Sequence, residues 1–180
     1  MLFRSIRYLT SEDSSIYRAF LLKGIHKELE VFAWKLQNDK CLVELNIQKL
    51  LSSQTSDYAV LGAFEQDELV GAATLIHKQK YSLSHKAIME NMCVQGHDDH
   101  SRDYISKLLM RHIFQICHDK EIEILLTSLI SNNISGKVFF SNFNFDTLFL
   151  EEHARKYEDY YVDEHWLIYY FKGNDLELFN

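Results

Sequence analysis

The 180-residue chain contains no proline, only six glycines and only three cysteines. Without proline, every turn must be built by Gly, Asn, Asp or Ser, and no stiff proline-rich linker can divide the chain. Cys41, Cys93 and Cys117 form no C-x-x-C pair and sit inside apolar runs. A disulfide framework is therefore excluded, and reduced, buried thiols in a cytoplasmic protein are expected. No stretch approaches the roughly 18 consecutive apolar residues of a membrane span, and no apolar run follows Arg4 and Arg7, so neither a membrane partner nor a signal peptide is expected. Basic charge is also short. Nineteen Lys+Arg face 26 Asp+Glu, a formal charge of −7, which removes the diffuse attraction for nucleic acid.

What is present suits one well-filled core. Hydrophobic residues make up 47% of the chain, with 12 Phe and 10 Tyr, and neither a repeat nor a polar linker breaks it, so residues 1–180 read as a single domain. Ile6 to Leu9 reads as a strand, with Thr10-Ser11-Glu12-Asp13 capping a helix over Ile16 to Trp34. A second helix is expected at Leu42 to Leu51, after the break Gln37 to Lys40. Tyr58 to Phe64 and Leu69 to Lys78 form a hairpin around four polar residues, and Ala87 to Val94 is a third strand. The polar loop Gln95 to Asp103 leads into an amphipathic helix over Tyr104 to Ile116. Ile122 to Leu129 is a strand, Asn133 to Phe140 a short helix, and Thr147 to Leu150 and His165 to Phe171 are the last strands. Strands alternating with helices predict a mixed α/β sheet.

Two clusters carry potential chemistry of their own. His97-Asp98-Asp99-His100 holds metal-ligand types, but four adjacent residues rarely aim inward together and no second Cys/His group accompanies them, so a solvated loop without metal is expected. Cys93 could act as a nucleophile. Inside an apolar strand, a thiol is more often a small buried hydrophobe.

The strand Ile88-Met89-Glu90-Asn91-Met92-Cys93-Val94, the helix with its Leu108-Leu109 pair, and the spacing of Asn133, Gly136, Phe139, Phe140, Asn144 and Phe145 resemble the GNAT superfamily of N-acetyltransferases. Asp67-Glu68-Leu69-Val70-Gly71 resembles that family's hairpin and the strand opening "VG", and Ile6 to Asp13 its first strand and helix cap. The resemblance runs to Lys172. It implies a GNAT-like fold, a mostly antiparallel central sheet flanked by helices, in which the strands carrying Met92 and Leu126 splay apart. Acetyl-CoA, or another acyl-CoA, would enter there as cosubstrate, its pantetheine arm pairing with the backbone of Met92, Cys93 and Val94. Its pyrophosphate would lie at the start of the Tyr104 helix, on the segment His100, Ser101, Arg102, Asp103, Tyr104 and Ile105. Asn133 would either face the cofactor or simply cap its helix.

The acceptor implied is an amine of a small molecule or a protein, and a homodimer is compatible with the family. Glu90 occupies a usual base position, although a solvent-facing strand glutamate reads equally well. Phe140, on the cofactor side, stands where a tyrosine acid is usual, which leaves Tyr160 and Tyr161, in the segment expected between the last strands, as substitutes. Asp103 and Ile105 stand where the family keeps loop glycines. These departures motivate a second expectation from another class, a non-catalytic GNAT-like binding or regulatory protein.

Overall fold

A computed structural model describes residues 4–27, 44–53, 57–78, 80–96, 98–157 and 160–173. Strand β1 (Arg4–Tyr8) is followed by a 3-10 turn (Ser11–Asp13) and helix α1 (Ser14–Lys27). The Asp13 carboxylate accepts from the Thr10 backbone N–H at 2.7 Å and from both terminal nitrogens of Arg7 at 2.7 Å, which fixes the entry into the helix. Helix α2 (Glu44–Ser52) packs beside α1. The expected continuation of the first helix to Trp34, the break after it and Cys41 lie outside the described residues.

Strands β2 (Tyr58–Glu65) and β3 (Glu68–His77) form the expected hairpin. Lacking Pro and Gly, its tip places Gln66 and Asp67 in left-handed backbone, with φ 49 and 69°, the twist that suits a two-residue hairpin turn. Then come β4 (Lys86–Val94), α3 (Asp99–Asp119), β5 (Ile124–Ile130), α4 (Ile134–Asn142), β6 (Asp146–Tyr157) and β7 (Tyr160–Tyr170). The seven strands make one mixed, mostly antiparallel sheet in the order β1-β2-β3-β4-β5-β7-β6. Only β4 and β5 pair in parallel among them, with α3 as their crossover.

Each face of the sheet has its own core. Met89, Leu109, Phe114, Leu125 and Tyr169 belong to the cluster that joins α3 and α4 to one face. Leu9, Tyr17, Phe20, Ile47 and Val60 belong to the cluster under α1 and α2 on the other. Strand β3 is covered on both sides, so it reads as a nearly unbroken apolar run rather than an alternation. Among the described residues no helix is long and apolar enough to cross a membrane.

Three expectations need correction. Helix α3 begins at Asp99, five residues before the expected Tyr104, because Asp98 caps it and Asp103 and Ile105, unlike the glycines they replace, tolerate helical backbone. The last two strands are much longer than expected. They absorb the polar run Glu151 to Tyr157, because an edge strand with register shifts need not alternate. Tyr160 and Tyr161 consequently lie within β7, not between the last two strands.

Candidate active site between two splayed strands

The parallel ladder between β4 and β5 runs only from Lys86↔Ile124 to Met89↔Thr127. Beyond it β4 stays with β3 as far as Val94, while β5 stays with β7 as far as Ile130. The cause is a bulge. Thr74 pairs with Glu90 but Ala72 pairs with Cys93, so Asn91 and Met92 together oppose Ala73, and Asn91 takes a left-handed φ of 54°. A bulge bends and twists its strand, and here it turns the end of β4 away from β5. The edges so released face a cavity of about 570 Å³, within the range of small-molecule sites.

Of the expected cofactor-side residues, Met92, Cys93, Val94, Arg102, Asp103, Asn133 and Phe140 line this cavity, whereas His100, Ser101, Tyr104 and Ile105 do not. Ile105 is buried against the sheet: a Cβ on Gly71 would lie 3.0 Å from its Cγ2, so Gly71 is what lets α3 sit so close. Asn133 acts as a helix cap. Its Oδ1 accepts from the Gly136 N–H at 2.9 Å, and a Cβ on Gly136 would come within 2.7 Å of its side chain. Phe140 is buried edge-to-face against Phe139 and Phe145. The Cys117 thiol is buried in the α3 core, and desolvation pushes its pKa up to about 12, which leaves it inert.

The start of α3 is internally neutralised. Asp98 Oδ1 accepts from the Ser101 N–H at 2.7 Å, Arg102 pairs with Asp99, and Lys107 Nζ lies 2.7 Å from Asp103. Three carboxylates thus complement the helix dipole where an anion would otherwise be drawn. Asp98 and Asp99 of the acidic and histidine cluster are engaged in these bonds, and His97 lies outside the described residues.

Glu90 is half-buried on the opposite face of the sheet, that of α1 and α2. Its cross-strand neighbour Thr74 is buried and hydrogen-bonds with the phenols of both Tyr17 and Tyr58. Burial raises the pKa of both phenols, and the negative Glu90 raises that of Tyr58 further. Sequence reasoning missed this polar group, because single Thr and Tyr residues in apolar elements give no sign that the fold will bring them together. It also missed Glu164 of β7, a cavity wall residue only 2% exposed. Tyr160 and Tyr161 are not brought near. They are 56% and 51% exposed at the start of β7, where the Tyr161 ring packs on His153 at 4.7 Å.

An acetyltransferase (GNAT) domain model matches residues 6–166. The chain belongs to the GNAT acetyltransferase family. A Staphylococcus epidermidis structure solved as a probable acetyltransferase shares 35% identity with this GNAT chain, with a TM-score of 0.81 over 94% of it and 100% of the other. An N-acetyltransferase of Staphylococcus aureus Mu50 shares 28% identity, with a TM-score of 0.70 over 93% and 97%. At 13% identity, yncA of Salmonella typhimurium, solved with its cofactor acetyl-CoA, shares the fold alone, with a TM-score of 0.63 over 94% and 95%. No curated protein matches the sequence. The GNAT family uses acetyl-CoA, so the protein is a GNAT-family N-acetyltransferase whose acceptor the comparisons leave unnamed.

Proposed function

We propose that the protein transfers an acetyl group from acetyl-CoA to an amine across the gap between β4 and β5, with Glu90 as the base. The splay carries this reading. Beyond Met89 and Thr127 neither strand pairs with the other, so the edge of β4 past its bulge faces the cavity and not β5, where an extended amide chain would bind as an added strand. The start of α3 fits less well, since its cap and its guanidinium are already taken by the chain's own carboxylates.

Acetyl-CoA supplies an activated thioester carbonyl. Glu90 takes a proton from the acceptor ammonium, which frees the nitrogen lone pair to bond the acyl carbon as the carbon–sulfur bond breaks. Thr74 and Tyr58 flank Glu90 and keep its surroundings polar on one side only. No hydroxyl stands at Phe140, and neither Tyr160 nor Tyr161 lines the cavity. None of these three protonates the sulfur, which leaves as the thiolate while the second proton of the acylated nitrogen passes to it or to water. A thiol's pKa near 8.5 makes that tolerable, at the loss of the roughly 10²–10⁴-fold that a general acid contributes.

The test is release of free thiol from acetyl-CoA in the presence of primary amines. Amine-dependent release by the wild type is expected. Binding of acetyl-CoA without release for any amine would favour the alternative, a binding or regulatory protein, which the internally paired start of α3 also suits.

A further inference from the structure

The wall of the cavity carries a charge that the proposed transfer does not use. Glu164 is 2% exposed yet lines the cavity. Its hydrogen bonds come from Arg155, Nε to Oε1 at 3.0 Å and Nη2 to Oε2 at 3.4 Å. A carboxylate has about four acceptor sites, so about two are left unused in a setting where leaving them so is costly. Buried ion pairs add little net stability, so stability alone is a weak reason to hold one at a cavity wall.

The sheet register shows what lies beside it. Ile88, Leu126 and Ile168 are cross-strand neighbours. With the period of two, Glu90, Ser128 and Trp166 follow on the same face, and then Ile130 with Glu164. Trp166 stacks on Phe149 of β6 with ring centres 6.1 Å apart and planes at 17°. The indole N–H donates to Glu151 at 2.7 Å, which fixes the ring. This face offers three carboxylates, Glu90 on β4, Glu164 on β7 with Arg155 paired to it, and Glu151 on β6, with Ser128 and Trp166 in the row of Glu90 and Phe149 outside Trp166 on β6. Two strand spacings and two residues along a strand would separate Glu90 from Glu164 by about 12 Å in a regular sheet, and the parting of β4 from β5 beyond Met89 makes that the lower limit.

We propose that the acceptor is an extended aliphatic amine with a second cation, and that Glu164 binds that second, non-reacting cation while the alkyl chain crosses Ser128 beside Trp166. Arg155 is a positioning residue that holds the Glu164 carboxylate in place. The inference rests on the reading of Glu90 as the reacting end.

Three acceptors of one length separate the contributions: 1,8-diaminooctane, 8-amino-1-octanol and 8-aminooctanoate, assayed with acetyl-CoA. A charge-assisted hydrogen bond to a buried carboxylate predicts a kcat/KM at least about tenfold higher for the diamine than for the amino alcohol, carried mostly by KM, with the amino acid poorest. In Glu164→Gln that advantage should fall to about twofold, while the dissociation constant of acetyl-CoA stays unchanged. The wild-type comparison stands even where the variant fails to fold. Equal kcat/KM for the three acceptors would overturn the proposal, as would preference for the amino acid or a diamine advantage that survives in folded Glu164→Gln. Binding of acetyl-CoA with no turnover of any of the three would overturn it too. Failure to bind acetyl-CoA would instead remove the transferase reading beneath it.

Discussion

Glu90 and Asp13 show how much a single side chain can be asked to carry. If Glu90 takes the acceptor's proton, Glu90→Gln should lower kcat at neutral pH by about 10²-fold or more while acetyl-CoA affinity stays the same, since the step lost belongs to the transition state alone. Equal activity of the two across the pH range would remove Glu90 from the mechanism. Asp13 makes a prediction about stability. Its hydrogen bonds from Arg7 hold its pKa at about 2 in the folded protein, below the ordinary 3.8. A lowered folded pKa stabilises above the unfolded value, and the contribution drains away as pH falls from about 4 through about 2. Asp13→Asn should therefore cost about 2 kcal/mol in denaturant unfolding at neutral pH, with the difference from wild type narrowing over that acid window. Met92, Cys93 and Val94 of the cavity wall were legible because they form one strand pattern. Tyr58, Thr74 and Glu164 were not, since what makes them notable is a neighbour on another strand.

Helix α3 and the β6–β7 hairpin mark the limits of reading at the scale of elements. Periodicity found the apolar stripe of α3 but not its start, because a helix can extend into polar sequence once a cap such as Asp98 is available. The last strands were short in the reading because β6 carries Glu151, Glu152, His153, Arg155 and Lys156, and its residue faces shift at two irregularities. The corrected start of α3 changes which substitutions are informative. Asp103 lies inside the helix and pairs with Lys107, so Asp103→Gly would cost about 0.3 kcal/mol of helix propensity, and the ion pair, in addition to any effect on binding. Asp98→Asn keeps a cap and removes a charge. If the pyrophosphate of acetyl-CoA lies at this helix start, Asp98→Asn should tighten its binding about two- to fivefold, the scale of a charge at a helix terminus. Arg102→Ala should weaken binding, because the guanidinium, once released by Asp99, is a phosphate partner at the cavity wall. Calorimetric titration of both variants checks the opposite signs, and unaltered affinity in both would place the phosphates elsewhere.

At the scale of the whole molecule, the order of strands was recoverable as a mixed sheet from alternation, and the family resemblance supplied the splay. The bulge that produces it could not be read from residue types, since Asn91 and Met92 fit a regular strand equally well. One sheet, covered by α1 and α2 on one face and by α3 and α4 on the other, opens a cavity where β4 and β5 part. The account as a whole stands on that cavity receiving the acyl donor. Unfolding of the wild-type protein, followed with and without acetyl-CoA, tests this most directly. A ligand bound only to the folded state raises stability by about 2.7 kcal/mol at a hundredfold excess over its dissociation constant. The account predicts a rise that grows with acetyl-CoA concentration, and an unfolding transition unmoved at millimolar acetyl-CoA would contradict it.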